Sequence, residues 1–275
     1  MPAIPFSFTD RVDLALSRRL ERAEALANRR FVEAKRSLDP ACPSTWIEVA
    51  GAYAMFDTVH SPLTQTFGLG VFEDPSDADL DRLEAFFTER GSATFHEISP
   101  LAPPSILGRL QERGYQAIEL TNLLSCPVGK HATQVSNPSL TVRTVLSHEQ
   151  ADYVQLAKDG WQLPAEYSAF FDEMAAVNQR NEHFAPFVVE ENGKWIGCGG
   201  LCISDDVGLI AGDATLPAAR GKGAQHALIV ARMEYARTLG LDLIMMGALP
   251  GSESQRNGQR AGLEIAYTRI KWHKP

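Results

Sequence analysis

The 275-residue chain is poor in several things that would announce a role. No stretch approaches the roughly 18 consecutive apolar residues of a membrane-spanning helix. Its start, MPAIPFSFTDRVDLALSRRL, lacks the unbroken apolar run of a secretory leader, so the expected location is the cytoplasm and no membrane partner is expected. Cysteine is scarce, with four residues, and only Cys198 and Cys202 are close in sequence. They fall in a strand-like run, where four residues span about 13 Å, too far for a disulfide. Neither has His or Cys partners at zinc-ligand spacing, so no metal site is expected. Positive charge is also short: 26 Lys and Arg against 34 Asp and Glu leave a net charge of −8, which argues against nucleic acid as a principal partner.

What is present is ordinary globular composition, 44% hydrophobic and 22% charged, in a chain long enough for two domains of roughly 130 to 140 residues. Proline, glycine and polar residues cluster in CPVGKHATQVSNPS (126–139), which has neither helical nor strand period. The expected division is a first unit over 1–128, a linker at 129–139 and a second unit over 140–275. In the second unit, LTVRTV reads as a strand, and Ser147 with Gln150 as a capping box opening a helix. A further helix is expected from about Pro164 to Gln179. Two strands follow about an Asn192–Gly193 turn, then a strand VGLIAGDATL, a helix beginning near Gly221 and ending at Gly240, a buried strand LDLIMMGAL, a short helix and a final alternating strand. The first unit, from Thr66 to Leu124, repeats the later part of this order. The fold class is therefore α/β (α+β), a duplicated unit with a mixed, mostly antiparallel sheet flanked by helices.

One more absence is local. The helix that starts near Gly221 follows LPAARGKGAQ, which has no Ser, Thr, Asp or Asn to cap it and no acid in its first turn. Ala218 and Ala219 cannot cap, Gly221 and Gly223 leave the amides bare, and Arg220 and Lys222 bring positive charge to the positive end of the helix dipole. The matching start in the first unit, EDPSDADLD, has Ser76 or Asp77 as cap, Pro75 near the first turn, and Asp79 and Asp81 to satisfy the dipole. One start is built to receive an anion and the other to refuse it. The stretch lacks the Gly-x-x-x-x-Gly-Lys-Ser/Thr of a Walker loop, and a Gly-x-Gly-x-x-Gly dinucleotide fingerprint would need a third glycine at His226.

These residues resemble the GCN5-related N-acetyltransferase (GNAT) superfamily, whose signature is Gln/Arg-x-x-Gly-x-Gly/Ala at the start of the helix after the fourth strand. RGKGAQ from Arg220 supplies the Arg and Gly223 but ends in Gln225; AARGKG from Ala218 ends correctly at Gly223 but starts with Ala. The element order from Leu140 to Trp272 matches that fold, with the first half as a degenerate copy.

The resemblance implies acetyl-CoA as co-substrate and direct acyl transfer to an amine, here a small primary amine. It implies that the backbone amides of Arg220, Gly221, Lys222, Gly223, Ala224 and Gln225 hold the pyrophosphate. Ala214, Thr215 and Leu216 would line the thiol arm, with one strand amide facing the thioester oxygen as charge develops. Asn257 matches a position contacting the pantetheine arm. An alkylamine is protonated at neutral pH and needs a proton acceptor; Asp213, an acid inside an apolar strand, is the first candidate and Asp206 the second. The tyrosine that usually protonates the departing thiolate, directly after the asparagine, is replaced by Gly258, leaving Ser254, Tyr267 or water. Trp161, Tyr167 and Phe170 would lie near the acceptor, and Glu166, Asp172 and Glu173 could attract a cationic amine. His183 and His226 show no partner in the sequence. Two other readings stay open, a non-catalytic acyl-CoA-binding or regulatory protein and a transferase of a larger acyl group, and such duplicated proteins can pair as homodimers.

Overall fold

The computed structural model describes residues 12–130, 137–164 and 168–275. Along the first half run α1 (Leu14–Leu38), β1 (Thr45–Val49), β2 (Ala52–Phe56), β3 (Gln65–Phe67), α2 (Asp77–Thr88), β4 (Thr94–Ile98), α3 (Pro104–Glu112) and β5 (Gln116–Pro127). The second half has β6 (Leu140–Thr144), α4 (Gln150–Trp161), α5 (Ser168–Arg180), β7 (Phe184–Glu191), β8 (Lys194–Ser204), β9 (Val207–Thr215), α6 (Ala224–Thr238), β10 (Leu243–Ala248), α7 (Glu253–Arg260) and β11 (Glu264–Lys274). Cys126 and Pro127, at the head of the expected linker stretch, belong to β5.

All eleven strands form one sheet in the order β1-β2-β3-β4-β11-β5-β10-β9-β8-β7-β6. The last strand of each half is exchanged: β11 lies between β4 and β5, antiparallel to both, and β5 lies between β11 and β10. Each half's final strand thus completes the other's sheet, so the boundary between the halves is not a boundary in the hydrogen-bonded ladder.

Alternation along the central strands sends neighbours to opposite faces. Leu123 joins a cluster under α1 with Leu20, Val207, Met245 and Tyr267, while Leu124 joins the cluster under α6 with Leu228, Ile244 and Met246. The long α1, which the duplication does not predict, is capped by Asp13, whose carboxylate accepts from Leu16 N at 2.8 Å. It carries a buried polar seam to the sheet: Glu21, with no exposed surface, accepts from Tyr267 Oη at 2.9 Å and lies 3.5 Å from Arg269, which also pairs with Glu24 and Glu97.

The local expectations meet mixed outcomes. The Asn192–Gly193 hairpin forms with both residues at positive φ, 53° and 72°. Entry to α4 differs: Glu149 rather than Gln150 reaches back to accept from Leu146 N at 2.9 Å, because a 3-10 turn over Ser147–Glu149 precedes the helix. Helix α5 begins at Ser168, and residues 165–167, where the expected helix also ran, lie outside the described residues.

Candidate functional site

Parallel pairing of β9 with β10 runs from Val207–Leu243 to Ile210–Met246 and then stops. Beyond Ile210 the strands part, opening a cleft of about 1250 Å³ whose walls are Ile210 to Thr215 of β9, Met246 and Gly247 of β10, the start of α6, one face of α7 and the end of α4. Where it opens, β9 carries a bulge: Cys198 pairs with Ala214 but Gly200 pairs with Ala211, so Gly199 opposes both Gly212 and Asp213. Gly212 takes φ of 70°, the left-handed conformation that glycine adopts without penalty.

The start of α6 lies in the cleft wall. Its N-cap, Gly223, sits at φ 89° and no side chain caps the helix; no acid occupies the first turn. The amides that helical geometry leaves unpaired there follow Gly223, among them those of Ala224 and Gln225. Gly221, at φ 78°, presents bare backbone, since a Cβ built on it would meet no atom within 4 Å. The other half shows the opposite arrangement: Ser76 and Asp79 form a complete capping box on α2, with Asp77 also in the first turn. Arg18 of α1 further donates to the carbonyls of Val71 and Phe72 in the segment before α2.

Several expected cofactor contacts are used differently. The Arg220 amide donates to Pro217 O at 3.3 Å and the Leu216 amide to Ile196 O at 2.9 Å, so neither is free for a ligand. Arg220 lines the cleft, its guanidinium donating to Gly160 O at 2.9 Å at the end of α4. The Lys222 ammonium instead turns to Glu191 at 2.7 Å and is not part of the lining. Ala214 and Thr215 line the cleft while pairing with β8 through Cys198 and Gly197.

A polar network crosses the floor. Gln225 Nε2 donates to Asp213 Oδ2 at 3.4 Å and to Ser254 Oγ at 3.3 Å, and Gln225 Oε1 accepts from Asn257 Nδ2 at 2.5 Å. Asn257 Oδ1 accepts from Arg260, which also pairs with Glu253. The residue at which one frame of the signature fails, Gln225, thus ties β9, α6 and α7 together. Arg260 and His226, both in the lining, had no signal in the sequence beyond their place on these helices.

The candidate acids and bases separate. Asp213 and Ser254 face the cleft. Tyr267 does not: it is buried under α1, its hydroxyl on Glu21, and burial pushes its pKa well above the ordinary tyrosine value. Asp206 is paired with Arg19 at 2.5 Å in the turn before β9, outside the lining. Gly258 is buried, and a Cβ there would stand 2.7 Å from Met246 Sδ, so a side chain at this position would point into the sheet rather than the cleft.

Of the residues expected near an acceptor, Trp161 lines the cleft, its indole N–H donating to Asp213 O at 2.7 Å and its ring edge-on to Phe171. Phe170 packs on Phe171, Asp172 pairs with Lys158 and Glu173 with Lys35. Glu166 and Tyr167 lie outside the described residues, and His183 is not in the lining.

The cysteines are all free, and burial pushes Cys198 and Cys202 up to about 12 and Cys126 to about 11, which leaves these three thiols protonated and poor nucleophiles. Among the described residues no cluster of His, Cys, Asp or Glu could hold a metal, and no helix is long and apolar enough to cross a membrane.

Comparisons with known proteins agree with this geometry. Residues 146–256 match the model of the acetyltransferase (GNAT) family. No curated protein matches the chain. Among solved structures, a GCN5-related N-acetyltransferase from Kribbella flavida superposes with a TM-score of 0.70 at 17% identity, over 94% of this chain and 96% of that one. A GCN5-related N-acetyltransferase from Sphaerobacter thermophilus gives 0.59 at 15% identity, over 81% and 76%. A tandem GNAT protein from the clavulanic acid biosynthesis pathway gives 0.55 at 12%, over 72% and 68%. Residues 146–256 are thus similar to the acetyltransferase (GNAT) family, and the chain shares its fold with GCN5-related and tandem GNAT proteins of known structure.

Proposed function

We propose that the protein is an acetyl-CoA-dependent N-acetyltransferase that passes the acyl group directly from the thioester to a small primary amine. The observation that carries this reading is the uncapped, glycine-flanked start of α6 in the wall of a cleft opened by the parting of β9 and β10. The family match makes a coenzyme A pyrophosphate the anion best suited to that start. The parted edge of β9, with its bulge, offers backbone groups to an extended thiol arm and to the thioester oxygen as it gains charge. Asn257 and Ser254, held by Gln225, stand across from that edge. Buried, protonated Cys126, Cys198 and Cys202 favour direct transfer over relay through an acyl-cysteine.

The position of Gly258 gives a second reading its support. With the usual acid position closed by Met246, the departing thiolate has Ser254 or water as proton donor. A protein that binds acyl-CoA without turning it over would have no need of more. Thiol release from acetyl-CoA, followed across a broad panel of primary amines, separates the two. Release with at least one amine supports the transferase, and binding without release from any amine supports the second reading.

A further inference from the structure

We infer that the buried pair Arg232–Asp213 is the positioning element of the reaction: it sets the bulge of β9 and so aims the strand's amides at the thioester carbonyl. The inference rests on the acyl-CoA reading of the cleft and assigns Asp213 a task other than proton acceptor.

Arg232 is wholly buried in the middle of α6, the largest fully buried side chain among the described residues. Its Nε donates to Leu228 O at 3.0 Å in its own helix. Its Nη1 donates to Gly200 O at 2.9 Å, reaches Ala211 O at 3.5 Å, and pairs with Asp213 Oδ1 at 2.6 Å. One guanidinium therefore holds the carbonyl beside the bulge on β8, the carbonyl entering it on β9, and the side chain within it. The strand opposite is cut to fit. A Cβ on Gly199 would collide with Asp213 Oδ1 and stand 2.7 Å from Arg232 Nη1, so the pair occupies the space a side chain would fill.

Asp213 is fixed on its cleft side too. Its carbonyl accepts from Trp161 Nε1 and its second carboxylate oxygen from Gln225, which also holds Ser254 and Asn257. The carbonyl and Oδ2 of Asp213 are thus hydrogen-bonded, and Oδ1, which accepts no hydrogen bond, has its counter-ion in Arg232 inside the protein. A buried ion pair is a weak source of net stability, because desolvating both charges consumes most of the attraction. Its effect is geometric: Nη1 alone holds the Gly200 carbonyl and the Asp213 carboxylate together, while Nη2 makes no hydrogen bond, and this ties one arrangement of the two strands. That pair sits in the bulge three residues beyond Ile210, on the stretch of β9 that no longer pairs with β10 and faces the cleft.

The test needs no knowledge of the acceptor. The infrared carbonyl band of [1-13C]acetyl-CoA bound to the full-length protein reports polarisation of the thioester, and calorimetry with CoA reports binding of the rest of the molecule. Asp213→Asn is nearly isosteric, and Arg232→Met removes the guanidinium; circular dichroism and thermal melts identify folded variants. The expected result is a band shifted to lower wavenumber in the wild type, loss of that shift in Asp213→Asn, and CoA affinity changed by less than about threefold. The double variant loses no more than either single one, since the two residues act as a unit. If Arg232→Met does not fold, Gly199→Ala, which crowds the pair from β8, replaces it. Retention of the shift in folded Asp213→Asn overturns the positioning role while leaving the acyl-CoA reading intact. Absence of CoA binding by the wild type overturns both.

Discussion

Gly221→Asp tests the anion site with the least disturbance to the fold. Gly221 sits at φ 78°, a conformation that Asp tolerates better than most residues, and nothing lies within 4 Å of the added Cβ. The backbone cost is on the order of 1 kcal/mol, and a carboxylate at a helix start recovers some tenths of that through the dipole. The effect on a pyrophosphate is far larger. A carboxylate about 5 Å from one phosphate charge is repelled by roughly 1 to 3 kcal/mol for an effective dielectric between 80 and 20. That is about a five- to 150-fold loss of affinity. Calorimetry with CoA and with pantetheine, which lacks the pyrophosphate, separates this from general damage, and Gly221→Ala isolates backbone strain. The Asp variant is expected to lose CoA affinity but keep that for pantetheine, with the loss shrinking as salt is raised. Equal CoA affinities for the Asp and Ala variants would refute the assignment of the α6 start as the phosphate site.

Three further outcomes follow from the geometry. Because β5 fills the slot beside β10 and β11 fills the slot beside β4, the segment 137–275 lacks a strand its own sheet needs; expressed alone it should dimerise or aggregate, and a monomer with a cooperative melt would contradict the exchanged topology. Burial raises Glu21 to about 7 from its ordinary value, with Arg269 opposing the shift and Glu24 adding to it. The folded state then binds the proton more tightly than the unfolded one, so this contribution to stability is fully present below about pH 4.5 and is lost as pH rises through about 7. Glu21→Gln should flatten the fall between those limits and gain at most about 3 kcal/mol at pH 8, less whatever the loss of charge beside Arg269 costs, and denaturant melts with unchanged pH dependence would remove Glu21 as its source. Finally, Gly258→Tyr should cost more than about 2 kcal/mol by overpacking against Met246 and give no faster thiol release; a stable variant with enhanced turnover would show that the position faces the cleft after all.

The start of α6 was legible because capping is local chemistry: the absence of Ser, Thr, Asp and Asn before Gly223, set beside the Ser76 capping box, is visible in a string of letters and survives as geometry. Asp213 was legible only as an anomaly. Its partner Arg232 carries no signal in the sequence, because a charge in a helix gives no sign of burial, yet Arg232 lies fully buried in the middle of α6. The strand exchange could not be read at all, since which ladder β5 and β11 enter is decided by contacts more than a hundred residues apart. Tyr267 failed as a candidate for a related reason: sequence distance from Ser254 says nothing of α1, which covers it from the other end of the chain.

If the cleft between β9 and β10 takes acetyl-CoA, thermal unfolding of the protein must depend on that ligand. At a hundredfold excess over the dissociation constant, binding to the folded state alone adds about 2.7 kcal/mol, which for a chain of this size raises the melting temperature by roughly 5 to 10 °C. A saturable rise of that order is expected with acetyl-CoA, diminished in Gly221→Asp. A melting temperature that stays unchanged up to millimolar acetyl-CoA would contradict it.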